Sequence, residues 1–194
     1  MSRVILITGL PGTGKSTLAG QVAAHFGVPL VTKDLIKEPL LDVIGAQDAA
    51  QSRQLSDASF AVLFALARSL VVAGCSVVLE GNFRPGEHEA PLRAALPLLD
   101  EVGSRCGFAQ VLCRVDEGER AARIRARQAT AGRHVGHRHC ELLVGGRVDA
   151  FLDLPGERFV HDGADSARVL ALLDEWWKMR AISRPVRQMG EQDR

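Results

Sequence analysis

The sequence predicts an α/β fold, a three-layer sandwich in which helices cover both faces of a five-stranded parallel sheet. Two observations carry this. Short runs of apolar residues alternate along the chain with stretches of helical spacing, the order expected of strand–helix–strand units. The runs are apolar throughout rather than alternating with polar residues, as strands covered on both faces are. No linker divides the chain, so residues 1–180 read as one domain and 181–194, polar and carrying a proline, as a flexible tail.

Arg3–Thr8 reads as the first strand, closed by Gly9. Lys15–Phe26 follows as a helix, with Leu18, Val22 and Phe26 on one face, and Gly27 stops it. Pro29–Thr32 is a short second strand, and Asp34 opens a helical stretch toward Ile44. Gln47–Ala73 is a long helix with apolar positions at Leu55, Ala58, Val62, Leu66 and Leu70, ended by Gly74. Ser76–Leu79 is the third strand, and a polar loop leads to a helix over Leu92–Leu99. Gln110–Val115 is the fourth strand, Glu117–Ala131 an arginine-dominated helix, and Gly132–Gly146 a polar stretch rich in histidine and glycine. Arg158–His161 and Ser166–Met179 complete the pattern as the last strand and the last helix.

Composition narrows the function classes. The 194 residues are 46% apolar and 24% charged, the balance of an ordinary globular protein. A formal charge of +1 lacks the basic excess of many nucleic-acid binders. The cysteines show no CxxC spacing, and Cys75 and Cys113 adjoin apolar runs where a thiol acts as a small buried hydrophobe. Reduced cysteines fit an intracellular protein. The first apolar run is too short for a secretory signal, and no segment approaches the ~18 uninterrupted apolar residues of a membrane span. The expectation is a cytoplasmic protein without a membrane partner.

The strongest local signal is Gly9-Leu10-Pro11-Gly12-Thr13-Gly14-Lys15-Ser16-Thr17, which satisfies G-x-x-x-x-G-K-[ST] between a strand and a helix. The glycines let the backbone turn its N–H groups onto phosphate oxygens, and the following helix N-terminus adds partial positive charge. Lys15 is placed to reach the β- and γ-phosphates and Ser16 to ligate Mg²⁺, so ATP and Mg²⁺ are the expected cofactors. A purely structural glycine turn has no need of Lys-Ser directly after its last glycine.

Signals for a switch GTPase or a hexameric motor are missing. There is no NKxD-like guanine signature and no obvious DxxG, and Val77-Val78-Leu79-Glu80-Gly81 offers one carboxylate where a motor has Asp-Glu. From Arg3 to about Trp177 the chain resembles the small P-loop kinases. These are the nucleoside monophosphate kinase-like group of adenylate, shikimate and gluconate kinases, chloramphenicol phosphotransferase and zeta toxins. The resemblance implies a P-loop NTPase sandwich with a helical lid over about residues 120–147.

It also implies site residues. Asp34 falls where the group keeps a base or acceptor ligand at the end of strand two, and a carboxylate there can take a proton from an attacking hydroxyl. The plainer alternative for Asp34 is a helix N-cap. Glu80-Gly81-Asn82-Phe83-Arg84 is similar to the Glu-Gly-Thr-x-Arg segment of zeta toxins, with Asn82 in place of threonine. That likeness turns Glu80, Asn82 and Arg84 toward the acceptor. Glu80 would hold an acceptor hydroxyl or a Mg²⁺-bound water and Arg84 an anionic group, unless the two are merely solvated or paired together. Arg123 and Arg127 match the R-x-x-x-R that opens such lids and lie one helical turn apart, with Arg120 on the same face and Arg133 in the lid proper. Ion pairs to Glu117 and Glu119 are the alternative. Asp162-Gly163, within His161–Ser166, is similar to the stretch that runs along the adenine ring, although a turn with Ser166 as N-cap would explain it nearly as well.

His134, His137, His139 and Cys140 are too crowded for an ordinary zinc site and read as a polar lid. Trp176 and Trp177 read as packing of the last helix, and Phe83 as packing, with stacking on an acceptor ring as its second reading. The expected activity is an ATP-dependent transfer of the γ-phosphoryl group to a hydroxyl of a small molecule. A 5′-hydroxyl nucleic-acid kinase and an ATP-binding regulatory protein without transfer activity are the alternatives. The acceptor itself is not named by any motif.

Overall fold

In the computed structural model, which describes residues 2–96, 106–128 and 150–182, five strands form one sheet. They are β1 (Ser2–Gly9), β2 (Leu30–Thr32), β3 (Val77–Glu80), β4 (Cys106–Cys113) and β5 (Glu157–His161), in the order β2-β3-β1-β4-β5. Every pairing is parallel, so the sheet is the one expected. The helices are α1 (Lys15–Phe26), α2 (Lys33–Ile44), α3 (Ala49–Val72), α4 (Glu89–Ala95), α5 (Glu117–Gln128) and α6 (Ser166–Ile182).

β1 lies at the centre and is buried along its whole length. Its side chains alternate between two separate cores, as the period of a strand requires. Val4 and Leu6 join Phe60, Leu63 and Phe64 of α3 and Leu92 of α4 on one face. Ile5 and Ile7 join Leu18 and Val22 of α1 and Val169, Leu173 and Trp176 of α6 on the other. Trp176 is 2% exposed, while Trp177 stacks on Phe26 with ring centroids 4.2 Å apart, so both tryptophans pack as expected.

Boundaries differ in places. β4 starts at Cys106, ahead of the expected Gln110, because Cys106–Ala109 pair with Ser2–Ile5 of β1. α4 begins at Glu89 rather than Leu92, with Pro91 in its first turn, where a missing N–H costs little. The expected helix ends at 97–99 and 129–131 lie outside the described residues. Cys75 is exposed in the turn after α3, not buried, whereas Cys106 and Cys113 are buried. α3 is the one described helix long and apolar enough by composition to cross a bilayer. In this fold it packs against α2, α4 and the sheet.

Candidate active site

The strand order reverses at β1, and the crevice beyond its carboxyl end is where ligands bind in open α/β sheets. Gly9–Thr17 fills that position. The approach of β4 leaves no room for a side chain at Gly9, since a Cβ there would lie 2.4 Å from the Cys113 carbonyl oxygen. The Thr13 hydroxyl donates to the Leu10 carbonyl at 2.9 Å and closes the loop on itself. Gly14, left-handed at φ 87°, starts α1 without any side-chain cap. The first N–H groups of α1 are therefore not used by a capping side chain and can meet an anion.

β3 ends beside this loop and contributes Glu80, 3% exposed and in register with Ile7. Its Oε1 lies 3.8 Å from Lys15 Nζ. Burial pushes the Glu80 carboxyl above its ordinary range. Lys15 opposes that rise, the nearby Asp34 charge adds to it, and a hydrogen bond with the Ser16 hydroxyl and the Lys33 charge oppose it again. Lys15, Ser16, Asp34 and Glu80 thus share one site, at the carboxyl ends of three adjacent strands. Glu80 pairs with Lys15 and not with Arg84.

Asp34 occupies the first turn of α2, its side chain 47% exposed, and accepts from Lys33 Nζ at 3.1 Å. It is not the N-cap: Thr32 holds that role, accepting the Leu35 N–H at 3.0 Å. Two lysines that sequence reasoning passed over are buried on α2. Lys33 is 5% exposed beside Gly81, and Lys37, 1% exposed, donates to the Ser52 hydroxyl at 3.0 Å. The four-residue spacing of Lys33 and Lys37 was the available signal, but lysines on a helix are ordinarily a solvated face.

Asn82 is half-buried after β3, and Phe83 is fully buried in the α3 core, so it has no face for an acceptor ring. Arg84 lies beyond them and is held by carboxylates. Its Nε donates to Glu87 at 2.6 Å and its Nη2 to Asp57 of α3 at 2.8 Å. Glu87 also accepts from Arg53 at 2.8 Å. Asp57, Arg84 and Glu87 rim a groove of about 230 Å³ that Phe60 and Phe64 also line. His88 lies in it, 5% exposed, and its Nδ1 accepts the Arg84 backbone N–H at 2.9 Å. Burial, and then the Arg84 charge, lower its pKa to about 4, against opposing carboxylates at Glu87, Asp57 and Glu89. Asp57, Phe60, Glu87 and His88 carried no motif, and only the fold brings them together.

On the opposite side α5 packs on the loop. Positions a Cβ would occupy on Gly12 lie 3.0 Å from Ile124 and 3.2 Å from Arg120. Arg120 and Arg123 make the ion pairs with Glu117 and Glu119, at 3.4 and 2.5 Å. Arg123 nonetheless reaches both the Gly9–Thr17 loop and the Asp162–Gly163 turn: its Nη2 donates to the Gly163 carbonyl at 3.4 Å, and its Nη1 is 3.4 Å from the Cβ position of Gly14. Gly163 is left-handed at φ 84°, and Asp162 caps its turn by accepting the Ala164 N–H at 3.2 Å. Asp165, not Ser166, accepts from the Ala167 N–H at the start of α6. Arg127 lies in α5 with its side chain outside the described residues, as do Arg133 and the histidines and cysteine of the expected lid.

The donor set suits Mg²⁺. Ser16 and Glu80 present a hydroxyl and a carboxylate, the hard oxygens this ion prefers, beside a loop shaped for phosphates that would complete its shell. Among the described residues no group of three or more His, Cys, Asp or Glu could cage a metal alone.

Comparison with known proteins bears on the same residues. A family model described as an AAA domain matches residues 4–142. No curated protein sequence matches the chain. Among solved structures, it is similar to a protein of Chloroflexus aurantiacus J-10-fl, itself only provisionally named a kinase. That pair is 25% identical, with TM-score 0.77 over 90% of this chain and 97% of the other. Two further structures share the fold. The APS kinase CysC of Mycobacterium tuberculosis, solved with AMPPNP and APS, is 17% identical with TM-score 0.58 over 91% of this chain and 98% of its own. Kti12 of Chaetomium thermophilum, solved with ADP-AlF3, is 17% identical with TM-score 0.60 over 90% and 97%. The fold is that of the small P-loop kinases.

Proposed function

The chain belongs to this AAA domain family, and from that premise we propose that it transfers the γ-phosphoryl group of ATP to a hydroxyl of a small molecule. The observation that carries the reading is the meeting of Lys15, Ser16, Glu80 and Asp34 beyond the sheet edge. A nucleotide-binding module needs the first two. A carboxylate aimed at the same place from a second element is what transfer to a hydroxyl adds.

In this reading the loop N–H groups and the start of α1 hold the phosphates, and Lys15 neutralises charge on the γ-group. Ser16, together with Glu80, would hold Mg²⁺, which would supply positive charge to the oxygens that gain electron density. Asp34 orients the acceptor and takes its proton as the oxygen–phosphorus bond forms, and ADP leaves with the electron pair of the broken bond. Arg123, between Gly14 and Gly163, screens the nucleotide from the lid side, and Arg127 follows one helical turn later in α5. Asp162 and Gly163 line the base. The kinase assignment of the Chloroflexus protein supports the same direction.

The test is incubation with γ-labelled ATP, Mg²⁺ and a pooled metabolite library. The reading expects label in a new phosphate ester. Tight ATP binding with no labelled product from any acceptor would leave only a nucleotide-binding protein.

A further inference from the structure

We infer that Lys33 is a positioning residue for the transfer: its buried ammonium fixes the carboxylate of Asp34 in the orientation that meets an acceptor hydroxyl. The inference rests on the kinase reading and deepens it at the same site, by naming what holds the proposed base.

Lys33 stands where a lysine is little expected. It is the first residue of α2, and the partial positive charge of a helix N-terminus disfavours a cation there. It is also 5% exposed, and burying an ammonium costs stability that pairing only partly returns. Helix initiation does not call for it, since Thr32 already caps α2 by accepting the Leu35 N–H. A residue that breaks two local rules at the edge of a site is the kind that function retains. The chain also makes room for it. Thr32 of β2 is in register with Glu80 of β3, so the residues that follow, Lys33 and Gly81, leave the sheet side by side. A Cβ on Gly81 would lie 3.2 Å from the Lys33 Cβ and equally close to the Phe60 ring. Glycine at that position leaves the space in which the lysine stem is enclosed.

From that enclosure Nζ donates to Asp34 Oδ1 at 3.1 Å. Consecutive residues of a helix do not ordinarily face each other, so the Lys33 stem must bend across the first turn to reach its neighbour. The Asp34 side chain is 47% exposed, and a carboxylate open to water can occupy several rotamers. An ammonium held in place by burial limits that choice. It sets the plane of the carboxylate, and with it the direction of the lone pairs that would take the acceptor's proton. The Lys33 charge acts on Glu80 as well, so one cation serves both carboxylates of the site. Because Lys33 works through Asp34, its effect belongs to the rate of transfer and not to ATP affinity.

The experiment is a double-mutant cycle on the full chain, with γ-labelled ATP at saturation and the fraction of the metabolite library that labels best. Lys33→Met keeps the apolar stem and removes the cation, and Lys33→Gln is read in the same way should the first variant not fold. The expected result is a transfer rate lower by about tenfold or more, with ATP affinity in calorimetry within about twofold of the wild type. In an Asp34→Asn background the same substitution should cost less than about threefold further, because no carboxylate is left to orient. A wild-type rate in the folded lysine variant would overturn the inference and leave the kinase reading intact. An equal loss in both backgrounds would show that Lys33 acts independently of Asp34, and a parallel loss of ATP affinity would make its role structural; either result overturns the inference. No label in any product from the wild type would remove the kinase reading, and this inference with it.

Discussion

A buried imidazole that accepts a backbone proton on Nδ1 carries its own proton on Nε2 and has little reason to take a second. His88 is such a group, with a pKa lowered from 6.5 to about 4. The unfolded chain binds a proton there below about pH 6.5 while the fold resists until about pH 4. Stability is therefore lost as pH falls through that window, with a slope up to about 1.4 kcal/mol per unit from this residue. His88→Asn keeps an acceptor for the Arg84 N–H and cannot titrate. Its urea midpoint should fall less steeply between those pH values than the wild type's, and equal slopes would contradict the account. Lys15→Ala should abolish measurable nucleotide binding in calorimetry, because it removes the cation on the β- and γ-phosphates; binding at wild-type affinity would refute its role. The placement of Lys15 and Ser16 was readable because it is local to one loop. His88, Lys33 and Lys37 were not, because a lone histidine or lysine shows its burial only when the helix above it is placed.

Elements were legible where composition and spacing agreed. β1, α1 and β5 fall within a residue or two of their expected bounds, since each is an apolar run or a helical stripe with glycine or a polar turn at its end. The start of β4 was hidden because Cys106 and Gly107 carry no strand signature, and only pairing with the central strand makes them part of the sheet. The contact between these two strands sets a demand on the loop. With φ 149° and a Cβ position 2.4 Å from a backbone oxygen, Gly9 admits no side chain without parting β1 from β4. Gly9→Ala should cost more than about 1 kcal/mol in chemical denaturation and weaken ATP binding together with it. A stable variant with normal binding would show that the two strand ends can separate freely.

Over the whole molecule, the class of protein followed from the order of its parts, whereas the acceptor side did not. α2 and α3, which carry Asp34, Asp57 and Phe60, lie together between β2 and β3, and nothing local in their sequence says which faces meet. Ligation ties the parts together. At about a hundredfold excess over its Kd, Mg-ATP should stabilise the fold by about 2.7 kcal/mol, a rise of roughly 5–10 °C in Tm for a chain of this size. A chelator should remove much of that rise if Ser16 and Glu80 hold the ion as described, and an unaltered Tm shift would argue against metal at this site. The central claim is that Asp34 turns a nucleotide-binding loop into a phosphotransferase, and it is most directly tested by Asp34→Asn. With γ-labelled ATP and the metabolite pool that labels best, the account predicts unchanged ATP affinity and a loss of transfer of about 10²-fold or more. Transfer at the wild-type rate by that variant would contradict it.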